Sequence, residues 1–235
     1  MILRLIICVL ALFVPRYSFA AGDTYLTLIV NRDHDSAVYY LAMPADDITG
    51  LLATDPHLVF SDNGAVPIDQ FRQYGSFELA DEVFAKVTGT AGEKQLSFEA
   101  MSMMVHPLDQ PQPFATPWDG VTAISVCTVD YGRDSLFPSG LQLYYGAYTD
   151  GIKPDEPLKI SFPATGRDAF PIVVHRFHEG RHLGTDRAVL EDGGTLVLTT
   201  EASGISKAWF GFAALLMICT IAGGKLRRRI LPATA

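Results

Sequence analysis

The sequence predicts a mainly β protein: a β-sandwich-like exported domain with one amphipathic helix, plus a C-terminal single transmembrane helix. Three observations predict it. Short runs rich in β-branched and aromatic residues recur between Gly, Pro and Asp. An uncharged apolar run at 208–224 stops at a cluster of bases. The first twenty residues have the layout of a secretory signal peptide.

Taken in order, residues 1–20 begin with Arg4, continue through the apolar stretch 5–14 and end on Ser18-Phe19-Ala20, a small-x-small cleavage site. That apolar stretch is too short for the ~20 residues a spanning helix needs. Strands are predicted at 24–30, 37–43, 95–105, 121–129, 141–148, 158–162, 171–177 and 195–200. The polar turn 31–36, NRDHDS, joins the first two into a hairpin. Residues 77–87 break the alternation. Phe77, Ala80, Phe84 and Val87 recur at helical spacing with Leu79 and Val83 beside them, while Glu78, Asp81, Glu82 and Lys86 fall opposite. Ser76 is a candidate cap, and Gly89 closes the run. Shorter helical turns are expected after Pro44 and Pro67. Four prolines in 107–120 predict a loop or interlobe linker. Turn signals at Gly151, Pro154, Pro163, Gly166 and Gly193-Gly194 have the rhythm of a sandwich.

The apolar run 208–224 would measure about 25 Å as a helix, the short end of what crosses a bilayer. Trp209 and Phe210 stand at its front edge, and Lys225, Arg227, Arg228 and Arg229 follow it, the side that stays cytoplasmic. The expected organisation is a signal peptide at 1–20, an exported β-rich domain at 21–206, a transmembrane helix at 207–224 and a short basic cytoplasmic tail at 225–235. The expected location is a bacterial inner membrane, single-pass, with the main domain in the periplasm.

All 26 acidic residues but only 11 of the 18 basic ones lie in 21–206, so the exported domain carries a formal charge of −15. Such a surface repels nucleic acid and anionic lipid, and suits a basic partner. Of the three cysteines, Cys8 lies in the signal and Cys219 in the span, which leaves Cys127 with no partner for an internal disulfide.

Two stretches are candidates for chemistry. His178-Glu179-Gly180-Arg181-His182 spells H-E-x-x-H, which on a helix places two zinc ligands and a general base on one face. Here the flanking residues are β-formers and Gly180 interrupts, so the sequence predicts a hairpin with loop 179–181. His178 and His182 would then face each other across the strands and could share a metal. The second stretch, 99–107, carries Met101, Met103, Met104 and His106, whose thioether and imidazole groups suit copper. Strand alternation would put Met101 and Met103 on one face and Met104 and His106 on the other.

The expected function is therefore not enzymatic: a membrane-anchored periplasmic accessory or assembly protein acting through contact with a membrane protein complex or a basic periplasmic partner. No cofactor is expected on this reading. The alternative is a periplasmic binder of copper or zinc through His178, His182, Met101, Met103 and His106. A zinc metallopeptidase through His178, Glu179 and His182 is the third reading.

Overall fold

The structure of the chain, a computed structural model, describes residues 26–66, 77–125, 137–153 and 156–199. Strands β1 (Leu26–Arg32) and β2 (Ser36–Pro44) form the expected hairpin, with Arg32 opposite Ala37. Strand β6 (Leu141–Asp150) pairs antiparallel with β2, and β5 (Glu99–Pro107) pairs with β6. On the other side of β1 runs β8 (Phe170–His178), parallel to it, with β9 (Arg181–Leu190) at the edge. A second, four-stranded sheet runs β10 (Thr195–Leu198), β7 (Leu158–Ser161), β3 (Thr88–Ala91), β4 (Lys94–Leu96), antiparallel throughout.

The two sheets bury their facing sides in one core. Leu28, Val30, Tyr39, Leu41, Leu143, Tyr145, Ile172 and Val174 of the larger sheet meet Ala91, Leu96, Leu158, Ile160, Leu196 and Leu198 of the smaller. This is the layer logic of a sheet that must hide its apolar face against another. The outer face of the larger sheet has its own cluster, in which Ile29, Tyr40, Ala42, Tyr144 and Phe177 pack with Ala123 and Ile124. Covering on both faces explains why β2 is buried almost continuously along its middle.

Helices α1 (Ile48–Leu52) and α2 (Pro56–Val59) follow β2, the first of them beyond Pro44 as expected. Helix α3 (Phe77–Phe84) is the expected amphipathic one. It buries Ala80, Val83 and Phe84 and turns Glu78, Asp81 and Glu82 to solvent. Gly89 does not end it but sits inside β3.

Two stretches differ from expectation. Residues 121–125, read as the start of a strand, belong to helix α4 (Pro117–Ser125). A capping box starts that helix: Asp119 Oδ2 accepts from the Thr116 N–H at 2.8 Å and the Ala115 N–H at 3.1 Å, and the Asp119 N–H donates to Thr116 Oγ1 at 3.2 Å. Pro117 occupies the first helical position, where its missing N–H costs nothing. The expected linker therefore ends at Thr116. The second difference is at 95–105, which is two strands, because the chain leaves the smaller sheet after Leu96 and enters the larger at Glu99. Two strands were not foreseen as such, β3 and most of β9.

Among the described residues, no helix is long and apolar enough to cross a membrane. The signal peptide, the span at 207–224, the basic tail, Cys127, Ser76 and the turn after Pro67 lie outside the described residues.

Candidate functional site

The H-E-x-x-H stretch forms a hairpin, but not with the expected register. Its loop is two residues, Glu179 and Gly180, both at positive φ (49° and 74°), the mirror-image turn that matches strand twist. His178 pairs with Arg181, and Phe177 pairs with His182. Leu183 is bulged out between the Phe177–His182 and Arg176–Gly184 pairs. Alternation then places His178 and His182 on opposite faces of the hairpin, so the expected facing pair is not formed. The tip itself is docked on β1: the Gly180 N–H donates to Asn31 Oδ1 at 3.0 Å, and the Glu179 N–H donates to Arg32 O at 2.8 Å. Glu179 lies 3.9 Å from His34 Nδ1 and 3.8 Å from Arg181.

The methionine stretch is also divided differently. Ala100 pairs with Ala147 and Ser102 with Gly146, which leaves Met101 in a bulge. Met101 joins the outer cluster beneath α4, whereas Met103 is fully buried in the inter-sheet core. The expected Met101–Met103 pair is thus split. Met104 pairs with Tyr144, and His106 lies edge-on to the same ring at 5.2 Å, so these two share the outer face as expected. His106 is completely buried, with Nε2 at 2.8 Å from Ala123 O and Nδ1 without a partner among the described residues. Burial holds its pKa below the ordinary value, against the pull of the Ala123 carbonyl, so the ring is kept neutral. As candidate ligands the structure therefore groups Met101, Met104 and His106 on one face, and sets Met103, His178 and His182 apart from them. Among the described residues, no three His, Cys, Asp or Glu side chains are grouped to hold a metal.

A site without any motif lies between the sheets. A cavity of about 40 Å³ is walled by Leu28, Leu41, Ala147 and Ile160 and bounded by the rings of Tyr39, Phe84, Phe98 and Tyr145. Phe84 stacks on Tyr145 with centroids 3.6 Å apart, and Phe98 meets Tyr39 edge-on at 5.2 Å. Phe98 can lie over β3 because residue 89 is glycine: a β-carbon there would stand 2.5 Å from the ring. Phe84, Val87, Phe98 and Tyr145 also line an adjoining recess of about 240 Å³, which adds Asp81, Thr88, Gln95 and Ser97.

The cleft is thus apolar inside and polar at its mouth, the anatomy of a pocket for an apolar anchor. Its rim is acidic. Asp81 Oδ1 accepts from the Ala100 N–H at 3.3 Å, with exposed Glu78 and Glu82 on the same helix and exposed Glu99 at the start of β5. Burial, and then the Asp81 charge, push the Tyr145 hydroxyl far above its ordinary pKa. The Tyr39 hydroxyl is buried and has no hydrogen-bond partner among the described residues. Burial raises its pKa too, against the nearby Arg32 charge. Nothing in the spacing of the sequence brings residues 28, 41, 84, 98, 147 and 160 together, and sequence reasoning missed this site. Compared with known families and curated proteins, the chain matches no family model and no curated protein significantly.

Proposed function

We propose that the chain is a single-pass, membrane-anchored accessory or assembly protein whose sandwich-like domain, residues 21–206, stands in a bacterial periplasm and works by contact. The partner is a subunit of a membrane protein complex that offers an apolar side chain on a basic segment. The observation that carries this reading is the cleft between α3, β4 and the start of β5: an apolar cavity opening through a ring of aromatics beside the acidic face of a helix. Burying one Leu or Phe side chain there would supply about 1.5–3 kcal/mol. The rim carboxylates would add mainly orientation and speed of encounter, because exposed ion pairs contribute only about 0–1 kcal/mol. A tether at 207–224 would hold the cleft near membrane partners and raise its effective concentration.

The hairpin at 178–182 favours contact over the peptidase reading, since a zinc peptidase needs both histidines on one helix face with the glutamate between them. The test uses short labelled peptides and the full chain in detergent. Lys/Arg-rich peptides with a central Phe or Leu should bind, and Ala147→Val, which fills the cavity, should weaken them. The same peptides with central Gly, or with Glu replacing Lys and Arg, should not bind. Equal binding of the acidic and basic peptides, or no dependence on the central side chain, would contradict the proposal.

A further inference from the structure

The bulge at Leu183 does more than separate His178 from His182. It turns His182 onto the outer face of the larger sheet, the face that also carries His175 and Thr185, which pair across β8 and β9. There His175 Nδ1 lies 3.0 Å and His182 Nε2 lies 3.2 Å from the same atom, Thr185 Oγ1. Two ring nitrogens aimed at one oxygen are no more than about 6 Å apart. The His182 ring rests against Phe177, centroids 5.1 Å apart, which restricts it to this side of the hairpin.

A hydroxyl has one proton. Thr185 can donate to only one imidazole, so while both contacts are hydrogen bonds at least one converging nitrogen carries N–H and at most one is a lone pair. Burial, and then the charge of His182, hold the pKa of His175 below its ordinary value. His175 is half-buried and placed by β8, whereas His182 and Thr185 are exposed, so the site is reachable from solvent. Asp186 faces the other side of β9, where it pairs with Arg176. Arg187, two residues beyond Thr185, shares the outer face by alternation.

We propose that His175 and His182 form a binding site for a divalent transition-metal ion, with copper(II) the tightest. Both nitrogens must come to about 2.0–2.1 Å from the ion, so the exposed His182 ring swings inward and displaces the Thr185 hydroxyl. Each imidazole then carries its N–H on the nitrogen that points away, the ring that had donated to Thr185 changing tautomer as the ion binds. Imidazole suits zinc, nickel and copper, and for a given donor set copper(II) heads the divalent order. Two protein donors leave positions for water, which makes the site open and exchangeable rather than a structural metal centre. The site is independent of the inter-sheet cleft, and its failure would leave the contact proposal untouched.

The experiment titrates the metal-free full chain with copper(II), read by calorimetry and electron paramagnetic resonance. A single ion should bind with a tetragonal spectrum split by two imidazole nitrogens. Binding should be lost in His175→Ala and in His182→Ala, and kept in His178→Ala and Glu179→Gln. A second readout does not depend on variants: in the wild-type chain, copper should broaden the amide signals of His175, His182 and Thr185 first. Binding that survives the double variant, requires His178, broadens signals elsewhere first or does not occur at all would overturn the assignment.

Discussion

Tyr39→Phe should make the protein more stable. The Tyr39 side chain is 4 % exposed, its ring meets Phe98 edge-on, and its hydroxyl has no partner among the described residues. A buried hydroxyl left unpaired costs about 1–3 kcal/mol, and the substitution removes only that oxygen. The ring, its contact with Phe98 and nearly all the volume persist, so no cavity term of consequence opposes the gain. For a domain of this size each kcal/mol moves Tm by about 2–4 °C, so the expected rise is roughly 2–12 °C. Thermal and urea unfolding of the full chain followed by circular dichroism would read it, with the m-value unchanged between variants. The cavity beside Tyr39, at about 40 Å³, has room for a water, which needs only about 10–15 Å³. A loss of more than about 0.5 kcal/mol would refute the reasoning, because it would mean that the hydroxyl is satisfied in the folded protein.

Three further outcomes follow from particular contacts. Gly120→Ala places a β-carbon 2.3 Å from the Tyr40 ring, so α4 must lift from the sheet; urea unfolding should show a net loss even though alanine favours a helix by about 1 kcal/mol. His106, neutral when buried, has a folded pKa below the ordinary value of about 6.5, so the unfolded chain takes up its proton first. The stability this neutral ring contributes is complete above that pH and is lost as pH falls from there through the folded pKa, by up to about 1.4 kcal/mol per unit; His106→Phe should flatten that part of the profile. Glu179→Gln, at an exposed hairpin tip, should change stability by no more than about 0.5 kcal/mol and leave biological activity intact. Activity lost by orders of magnitude with folding unchanged would restore the peptidase reading.

The local rules of the chain read well where one rule acted alone. The β-branched and aromatic runs of β1 and β2 and the polar turn between them give the central hairpin, and the helical period of 77–87 gives α3, which buries one face. Helix α4 was misread because Val121, Thr122, Ile124 and Val126 look like a strand. The competing signal was short but present in Thr116-Pro117-Trp118-Asp119, a capping box with proline at the first helical position. Strand β9 is an edge strand with Arg181, Asp186 and Arg187 along it, and charges of this kind protect edges while hiding them from a hydrophobic search.

The sites were less legible because they are products of pairing. One bulge at Leu183 decides which histidine meets His182, and one at Met101 takes that methionine off the face of Met103. Neither bulge has a local signature strong enough to read. The parallel pairing of β1 with β8 joins residues 26–32 to 172–178, and the cleft draws on β1, β2, α3, β6 and β7. Contacts over such separations leave no spacing to count.

The contact account is tested most directly by photo-crosslinking in living cells from residue 97, at the mouth of the cleft. A photoreactive amino acid in place of Ser97 should give a discrete adduct with a subunit of a membrane complex. That adduct should disappear with Ala147→Val and be absent when the probe stands at exposed Lys159, on the smaller sheet. No adduct from residue 97, or one that persists when the cavity is filled, would contradict the claim that the cleft is where this protein meets its partner.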